Sequence, residues 1–264
     1  MDTQLAGKSV IVTGAASNIG RAIALGFAAE GAKITIADLD STLAEQVAET
    51  ALALGAQAVQ VVKTDVTDLQ AVQAMVAKAN SYGGVHALVN AVGWDDLMFF
   101  TETTPEFWQK IIQINFVSVL NLTQTLLPIM IEQGEGSLVC ISSDASRQGE
   151  PREAVYGGMK AAVNSFMKTI AKENGRYGIR ANLICPGVTM PDADEAVSDN
   201  SMWSDRDAMF TPDQLEKVAR AMPLKKIGKP QDIANAAVFL SSKLAAGHIT
   251  GQVLSVSGGY SMAG

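Results

Sequence analysis

Cysteine and histidine are scarce in this 264-residue chain, which has only Cys140, Cys185, His86 and His248. Two cysteines cannot build a disulfide framework or a four-cysteine zinc site, and the two histidines lie far apart in the sequence. We therefore expect no metal, and we expect all four residues to have structural roles. A chain of this length buries roughly 70–75% of its unfolded surface, so it needs no such supports.

Positive charge and long apolar runs are also scarce. The chain has 20 basic and 27 acidic residues, a formal net charge of −7, which leaves no basic surface for nucleic acid or an anionic membrane. No run approaches about 18 uninterrupted apolar residues, and the first residues lack the pattern of a signal peptide. We expect a cytoplasmic protein that acts on a small molecule, without nucleic-acid or membrane partners.

Short β-branched runs alternate with longer Ala-rich segments of helical period, the pattern of a parallel sheet covered by helices. This predicts an α/β fold: a single domain over residues 1–264, with a Rossmann-like, doubly wound parallel sheet of seven strands and helices on both faces. Residues 188–223 interrupt the pattern, and we expect them to form a substrate lid. The predicted strands are residues 9–13, 33–37, 58–63, 87–90, 137–142, 179–185 and 252–256. The predicted helices are residues 20–30, 41–54, 69–81, 152–177 and 230–241, with a long helix beginning at Thr104-Pro105.

The turn between the first strand and the first helix is rich in small residues, from Thr13 to Gly20. A helix N-terminus reached through such a turn favours a pyrophosphate, although an ordinary glycine-rich turn has the same composition. Asp38 ends the second strand 18 residues after Gly20, where a carboxylate can accept hydrogen bonds from both ribose hydroxyls. Leu39 follows it and no cation is near for a 2′-phosphate. We therefore predict NAD as the cofactor, the alternative being a solvated surface Asp38.

Tyr156 and Lys160 are four residues apart, which places both side chains on one face of a helix. A nearby cation favours a phenolate, so we expect Lys160 to lower the pKa of Tyr156 and make it a usable base. Ser143 lies 13 residues before Tyr156 and is predicted to hydrogen-bond the substrate oxygen. The neighbouring Ser142 is a competing candidate for this role.

Taken together, these motifs and their order resemble the short-chain dehydrogenase/reductase family over essentially the whole chain. The family's Thr-Gly-x-x-x-Gly-x-Gly turn matches here with Asn18 in place of the middle glycine, and we expect Asn18 to tolerate the left-handed backbone. The family's Asn-Asn-Ala-Gly motif becomes Asn90-Ala91-Val92-Gly93. The resemblance implies catalytic roles for Asn115, Ser143, Tyr156 and Lys160. It implies cofactor contacts for Gly14, Ser17, Asn18, Ile19, Gly20, Asp38, Leu39, Asp65, Val66, Asn90, Ala91, Gly93, Tyr156, Lys160, Pro186, Gly187, Val188 and Thr189.

The helical Asn115 has a second reading as a buried residue at a kink. The family also contains 3-oxoacyl-carrier-protein reductases, but these normally use NADPH, which Asp38 disfavours. A non-catalytic NAD-sensing module is the alternative from another class of protein. Tetramers are common in the family, so we expect a homotetramer.

The predicted lid combines acidic and aromatic residues. Between Thr189 and Pro223 we find eight acidic and three basic residues, a balance that repels the phosphates of a CoA thioester. The chain resembles two groups of dehydrogenases, for 1-arylethanols such as 1-(4-hydroxyphenyl)ethanol and for 2-hydroxycyclohexanecarboxyl-CoA. The acidic lid favours the first group, and thus an uncharged ring-bearing alcohol. The expected pocket residues are Trp94, Ser143, Met190, Trp203, Met209 and Phe210, any of which could instead be ordinary packing residues.

Overall fold

The computed structural model describes residues 2–191, 196–198, 201, 204 and 210–262. In these residues one parallel sheet has the strand order β3-β2-β1-β4-β5-β6-β7. The order reverses between β1 and β4, which lie side by side with Val10 opposite Ala87. The strands are β1 (Ser9–Thr13), β2 (Lys33–Asp38), β3 (Ala58–Lys63), β4 (Ala87–Asn90), β5 (Gly136–Ile141), β6 (Ile179–Pro186) and β7 (Val253–Val256).

Helices connect the strands and cover the sheet. They are α1 (Asn18–Ala29), α2 (Ser41–Leu54), α3 (Leu69–Asn80), α4 (Pro105–Ile112), α5 (Ser118–Gln133), α6 (Ala145–Gln148), α7 (Ala154–Asn174), α8 (Pro212–Ala221), α9 (Pro230–Ser241) and α10 (Lys243–Ala246). Their residues fall into two buried cores, one for each face of the sheet. The predicted α/β fold, with seven parallel strands and helices on both faces, is confirmed.

Alternation along the strands creates the two cores. Val10 and Val12 belong to the core beneath α1, α2 and α9, whereas Ile11 between them belongs to the core beneath α3, α5 and α7. Successive side chains of a strand point to opposite faces, so an unbroken apolar strand fills both cores. Phe27 of the first core and Leu122 of the second are among the largest fully buried side chains.

The long helix predicted after Thr104 is interrupted. A π-helical turn, Gln113–Val117, separates α4 from α5. Together they span Pro105–Gln133, a stretch long and apolar enough to cross a membrane by length and composition alone. Here α5 instead packs Leu122 and Leu126 into the second core. Such a helix is typical of the interior of a globular fold.

Candidate active site

A cleft of about 830 Å³ opens at the carboxyl ends of the strands, on the side where the strand order reverses. Open α/β sheets bind their ligands at this switch point. Most of the predicted cofactor residues line it, namely Gly14, Ser17, Asn18, Ile19, Gly20, Asp38, Leu39, Asp65, Val66, Ala91, Gly93, Tyr156, Lys160, Pro186, Gly187, Val188 and Thr189. Asn90 and Asn115 lie outside this lining and are buried.

The turn that begins α1 brings the backbone close to the space a pyrophosphate would occupy. Asn18 has a φ of +47°, the left-handed conformation expected of it, and Gly14 has a φ of +65°. A Cβ atom on Gly20 would lie 1.8 Å from the carbonyl oxygen of Gly14. Only glycine fits at position 20, and the first residues of α1 line the cleft, where a helix N-terminus favours a phosphate.

Asp38 closes the other side of this turn. One carboxylate oxygen accepts the Ala16 N–H at 2.9 Å, and the other accepts the Asp40 N–H at 3.0 Å. These bonds hold the carboxylate in place, and each oxygen keeps a second lone pair for a ribose hydroxyl. In the described part of the lining, the cations are Lys110, Arg152 and Lys160, and each belongs to the opposite end of the cleft.

Two asparagine side chains brace the loops around the nucleotide end. Asn121 donates to the carbonyl oxygens of Val66 and Thr67, both at 3.1 Å, and thereby fixes the loop after β3. The Thr13 hydroxyl donates to the Asn90 side-chain oxygen at 2.6 Å and links the ends of β1 and β4. Asn90 therefore holds together the ends of two strands that border the cleft, and it lies just behind the residues that line the cleft.

Tyr156 and Lys160 project from the first turns of α7 into the other end of the cleft. The Lys160 Nζ atom lies 5.5 Å from the centre of the Tyr156 ring and donates to the carbonyl oxygen of Ile141 at 3.0 Å. Ser143 follows β5 and is within hydrogen-bonding reach of the phenol. The fold thus brings together Ser143, Tyr156 and Lys160, which the sequence analysis grouped by their spacing.

The electrostatics of Tyr156 differ from our expectation. Burial raises the pKa of its phenol, and the negative charges of Glu153 and Asp95 raise it further, whereas the hydrogen bond from Ser143 lowers it. Burial also lowers the pKa of Lys160 to about 8. In this structure burial and two acidic neighbours raise the pKa of Tyr156, which is opposite in direction to the lowering expected from Lys160.

Asn115 occupies the π-helical turn between α4 and α5 and is 1% exposed. Its side-chain oxygen accepts the Trp94 N–H at 3.2 Å, and its amide nitrogen donates to the Trp94 carbonyl oxygen at 2.8 Å. The same nitrogen donates to the Ile111 carbonyl oxygen at 3.0 Å. Asn115 therefore sits at a helix irregularity and clamps the segment that follows β4. Such π-helical turns are frequent at functional sites.

The two adjacent serines have different surroundings. The Ser142 hydroxyl is buried and has two acceptors for its one proton, the Ser146 hydroxyl and the Lys160 carbonyl oxygen, both at 3.3 Å. Both serines border the cleft, but Ser142 is only 3% exposed, whereas Ser143 is half-buried. This contrast favours Ser143 over Ser142 as the residue that can meet a substrate. Cys140 and Cys185 are free and buried, and burial raises the pKa of Cys140 to about 12, as expected of core residues.

The predicted substrate pocket is brought together only in part. Trp94 and Phe210 line the cleft, whereas Met190 does not belong to its described lining. Trp203 and Met209 lie outside the described residues, as do six of the eight acids counted in the predicted lid. The indole ring of Trp94 is held between Phe107, at 6.0 Å between ring centres, and Lys110, whose Nζ lies 3.3 Å from the ring centre.

Several residues of the substrate end were not predicted. Asp95 and Glu153 line the cleft near Tyr156, together with Glu150, Arg152 and Tyr260. One signal was available for Glu153, because it precedes Tyr156 by three residues and so shares its helix face. No spacing rule connects Asp95 with α7, since the two are joined only by the folding of the sheet.

Comparison with known proteins agrees with this geometry. A family model described as Enoyl-(Acyl carrier protein) reductase matches residues 14–261. The chain is 34% identical to the 7α-hydroxysteroid dehydrogenase of Escherichia coli, covering 97% of this chain and 95% of that protein. It is also 34% identical to the 2,5-dichloro-2,5-cyclohexadiene-1,4-diol dehydrogenase of Sphingobium indicum, over 99% of each. The chain belongs to the short-chain dehydrogenase/reductase family.

The family assignment extends to the fold and to the class of reaction. A short-chain type dehydrogenase/reductase from Mycobacterium ulcerans superposes with a TM-score of 0.87, at 28% identity, over 97% of this chain and 90% of that one. A 3-oxoacyl-[acyl-carrier-protein] reductase of Thermotoga maritima is 32% identical over 97% of this chain and 98% of its own. Short-chain dehydrogenases/reductases are oxidoreductases that use a nicotinamide cofactor, and this protein is an enzyme of that kind.

Proposed function

We propose that this enzyme is an NAD-dependent dehydrogenase that oxidises a ring-bearing secondary alcohol to a ketone. The observation that carries the proposal is the meeting of Ser143, Tyr156 and Lys160 at one end of a cleft that has Asp38 at the other. Ser143, Tyr156 and Lys160 are suited to removing the proton of a substrate hydroxyl group. The carboxylate of Asp38 suits the two free hydroxyls of an NAD ribose and repels the 2′-phosphate of NADP.

The proposed site divides between cofactor and substrate. Gly14 and Gly20 leave room for the pyrophosphate, Asp38 accepts the adenosine ribose hydroxyls, and Asp65 with Val66 borders the adenine. The residues proposed beside the nicotinamide are Ala91, Gly93, Pro186, Gly187, Val188 and Thr189, and Asn90 supports this end from behind the lining. The remaining contacts of the turn and of the ribose come from Ser17, Asn18, Ile19 and Leu39.

In the proposed reaction, Tyr156 removes the hydroxyl proton of the substrate while Ser143 holds the same oxygen by a hydrogen bond. When bound, NAD supplies the acceptor for the hydride that leaves the carbinol carbon. Loss of this proton and hydride converts the alcohol into a ketone. Lys160 places its charge beside the phenol, and Asn115 holds the loop that borders the site, so both position Tyr156 and its surroundings.

Our best candidate for the substrate is a 1-arylethanol, such as 1-(4-hydroxyphenyl)ethanol oxidised to 4-hydroxyacetophenone. Two of the relatives are named for ring-bearing hydroxyl compounds, a hydroxysteroid and a cyclohexadienediol. Three carboxyl side chains, Asp95, Glu150 and Glu153, line the substrate end of the cleft. The cations Lys110, Arg152 and Lys160 line the same end, so the case against a CoA thioester rests on the acidic composition of the proposed lid at residues 188–223.

The second candidate is a reductase or dehydrogenase of carrier-bound substrates, which the 32% identical 3-oxoacyl-[acyl-carrier-protein] reductase favours. The same cleft would serve 2-hydroxycyclohexanecarboxyl-CoA.

Beyond the reaction, we propose that the 264 residues form one catalytic domain and that the enzyme is a cytoplasmic homotetramer. Sedimentation equilibrium of the purified protein tests the oligomeric state.

Side-by-side kinetics test the proposed function. Initial rates of 1-(4-hydroxyphenyl)ethanol, 1-phenylethanol and 2-hydroxycyclohexanecarboxyl-CoA oxidation are measured with NAD and with NADP. We expect the highest kcat/KM for an arylethanol with NAD. A higher value for the thioester would reject the substrate assignment, and a failure to oxidise any alcohol with either cofactor would reject the reaction.

A further inference from the structure

Two carboxyl groups at the substrate end have no part in the proposed reaction. Asp95 is 4% exposed, and its Oδ2 atom is buried with no hydrogen-bond partner in the described part of the chain. Glu153 stands at the N-cap of α7, but its carboxylate does not cap the helix. Buried polar atoms are normally paired, so an unpaired carboxyl oxygen in a cleft indicates a partner that comes from outside the protein.

The fold holds this pair in place from both sides. The amide of Asn115 clamps the backbone of Trp94, directly before Asp95, through two hydrogen bonds of 3.2 and 2.8 Å. Beyond Asp95, the N–H of Met98 donates to the carbonyl oxygen of Arg152 at 3.2 Å, next to Glu153. Arg152 has a φ of +75°, a conformation that side chains other than glycine rarely adopt. Strain of this kind persists where the surrounding structure holds a functional site.

The two carboxyl groups line the same cleft as Tyr156 and act on it electrostatically: the charge of Asp95 acts on Glu153, and both charges act on Tyr156. Burial raises the pKa of Asp95 to about 7; Asp96 raises it further, while the Asp96 N–H and the charge of Lys160 oppose the rise. Burial also raises the pKa of Glu153 to about 7, with contributions from Asp95 and Glu150. Near pH 7 the pair therefore retains part of its protons, so it can both donate and accept hydrogen bonds.

We propose that Asp95 and Glu153 bind a second hydroxyl group of the substrate, close to the hydroxyl that is oxidised. This inference rests on the proposed dehydrogenase function. A hydroxyl donates to the free oxygen of Asp95 and accepts from whichever carboxyl is protonated. A substrate carboxylate in the same place would be repelled by the ionised carboxyl groups of the pair. A substrate ammonium would be repelled by the buried charge of Lys160. The substrate class is thus a ring-bearing diol or a hydroxylated aryl alcohol.

Matched alcohols test the second hydroxyl. NAD-dependent oxidation of cyclohexanol is compared with that of 1,2-, 1,3- and 1,4-cyclohexanediol and of the anion 3-hydroxycyclohexanecarboxylate. We expect the preferred diol to exceed cyclohexanol in kcat/KM by about 10–100-fold, and the anion to fall below it. If kcat/KM for every diol lies within about 3-fold of the value for cyclohexanol, the proposed hydroxyl site is contradicted, while the proposed dehydrogenase function is not. No oxidation of any alcohol, those of the preceding subsection included, contradicts the proposed function.

Variants separate a binding role from a structural one. Asp95→Asn and Glu153→Gln should each lower the ratio of diol to cyclohexanol by about 10-fold, whereas Glu45→Gln, an exposed control on α2, should keep the wild-type ratio. A second readout needs no turnover. Because ionised Asp95 is buried, Asp95→Asn should raise Tm at pH 8 by about 2–8 °C, and by less at pH 4, where wild-type Asp95 is neutral. A lower Tm at pH 8 would mean that Asp95 supports the fold, and would overturn the proposal.

Discussion

The two ends of the cleft are built in different ways. At the nucleotide end the shape comes from the main chain, with the close approach of Gly20 to Gly14, and the carboxylate of Asp38 is bonded to two backbone N–H groups. At the substrate end the shape comes from side chains, and Asp95 keeps an unpaired buried oxygen. A cofactor common to a whole family can be recognised by a fixed backbone. Recognition of one particular substrate requires side chains that are satisfied only when it binds.

The largest effect should come from the substrate end, at Tyr156. Tyr156→Phe keeps the ring but removes the proton acceptor, which should lower kcat for alcohol oxidation by about 10²–10⁴-fold. The matched control is Tyr177→Phe, a half-buried tyrosine packed against the second core. Single-turnover measurements of NADH formation detect the loss directly. A kcat within a few-fold of wild type would show that another group takes the proton.

At the nucleotide end, Asp38 should decide between the two cofactors. We expect NAD to exceed NADP in kcat/KM by on the order of 100-fold, equivalent to roughly 2.7 kcal/mol. Asp38→Ala should narrow this gap, chiefly by weakening NAD, while the exposed control Glu45→Ala should preserve it. Equal efficiencies of wild-type enzyme with NAD and NADP would place Asp38 away from the ribose.

A single added methyl group tests whether the close approach of the backbone at the nucleotide end is needed for NAD binding. Gly20→Ala forces its Cβ against the carbonyl oxygen of Gly14, so the turn must move and the Kd for NAD should rise by about 10–100-fold. Gly175→Ala is the control, because nothing lies within 4 Å of a Cβ at that position. NAD binding by fluorescence titration measures both variants. An unchanged Kd for Gly20→Ala would mean that the turn does not touch the cofactor.

The smallest effect should be a change in pH dependence at the substrate end. Glu153 raises the pKa of Tyr156, so Glu153→Gln should move the alkaline-rising limb of alcohol oxidation to lower pH, by less than about 1 unit. Above pH 7 wild-type Glu153 is ionised, so its charge is present where this limb lies. Glu150→Gln is the control within the same cleft and should shift the limb less. A shift to higher pH would contradict the assigned charge effect.

Local patterns predicted the nucleotide end well. The strands at residues 9–13, 58–63 and 87–90 and the helix Ser41–Leu54 have the predicted bounds, because their periodicity and end signals lie within each segment. Asn18 adopts the predicted left-handed backbone, since that preference belongs to the residue itself. A kink at Asn115 was one of two readings of the long helix, but the π-helical form of the interruption at Gln113–Val117 was not predicted, because nothing in its local sequence breaks a helix as proline does.

The sequence by itself determined where strands and helices alternate along the chain, the phosphate-binding turn and the spacing that places Tyr156 and Lys160 on one helix face. All of these depend on residues within one or two turns of each other. The tertiary structure alone decided the electrostatics of the substrate end, where Asp95 comes from the loop after β4 and Glu153 from the start of α7. Their effect on the pKa of Tyr156 depends on burial and on distance across the fold, and neither quantity is encoded by spacing along the chain.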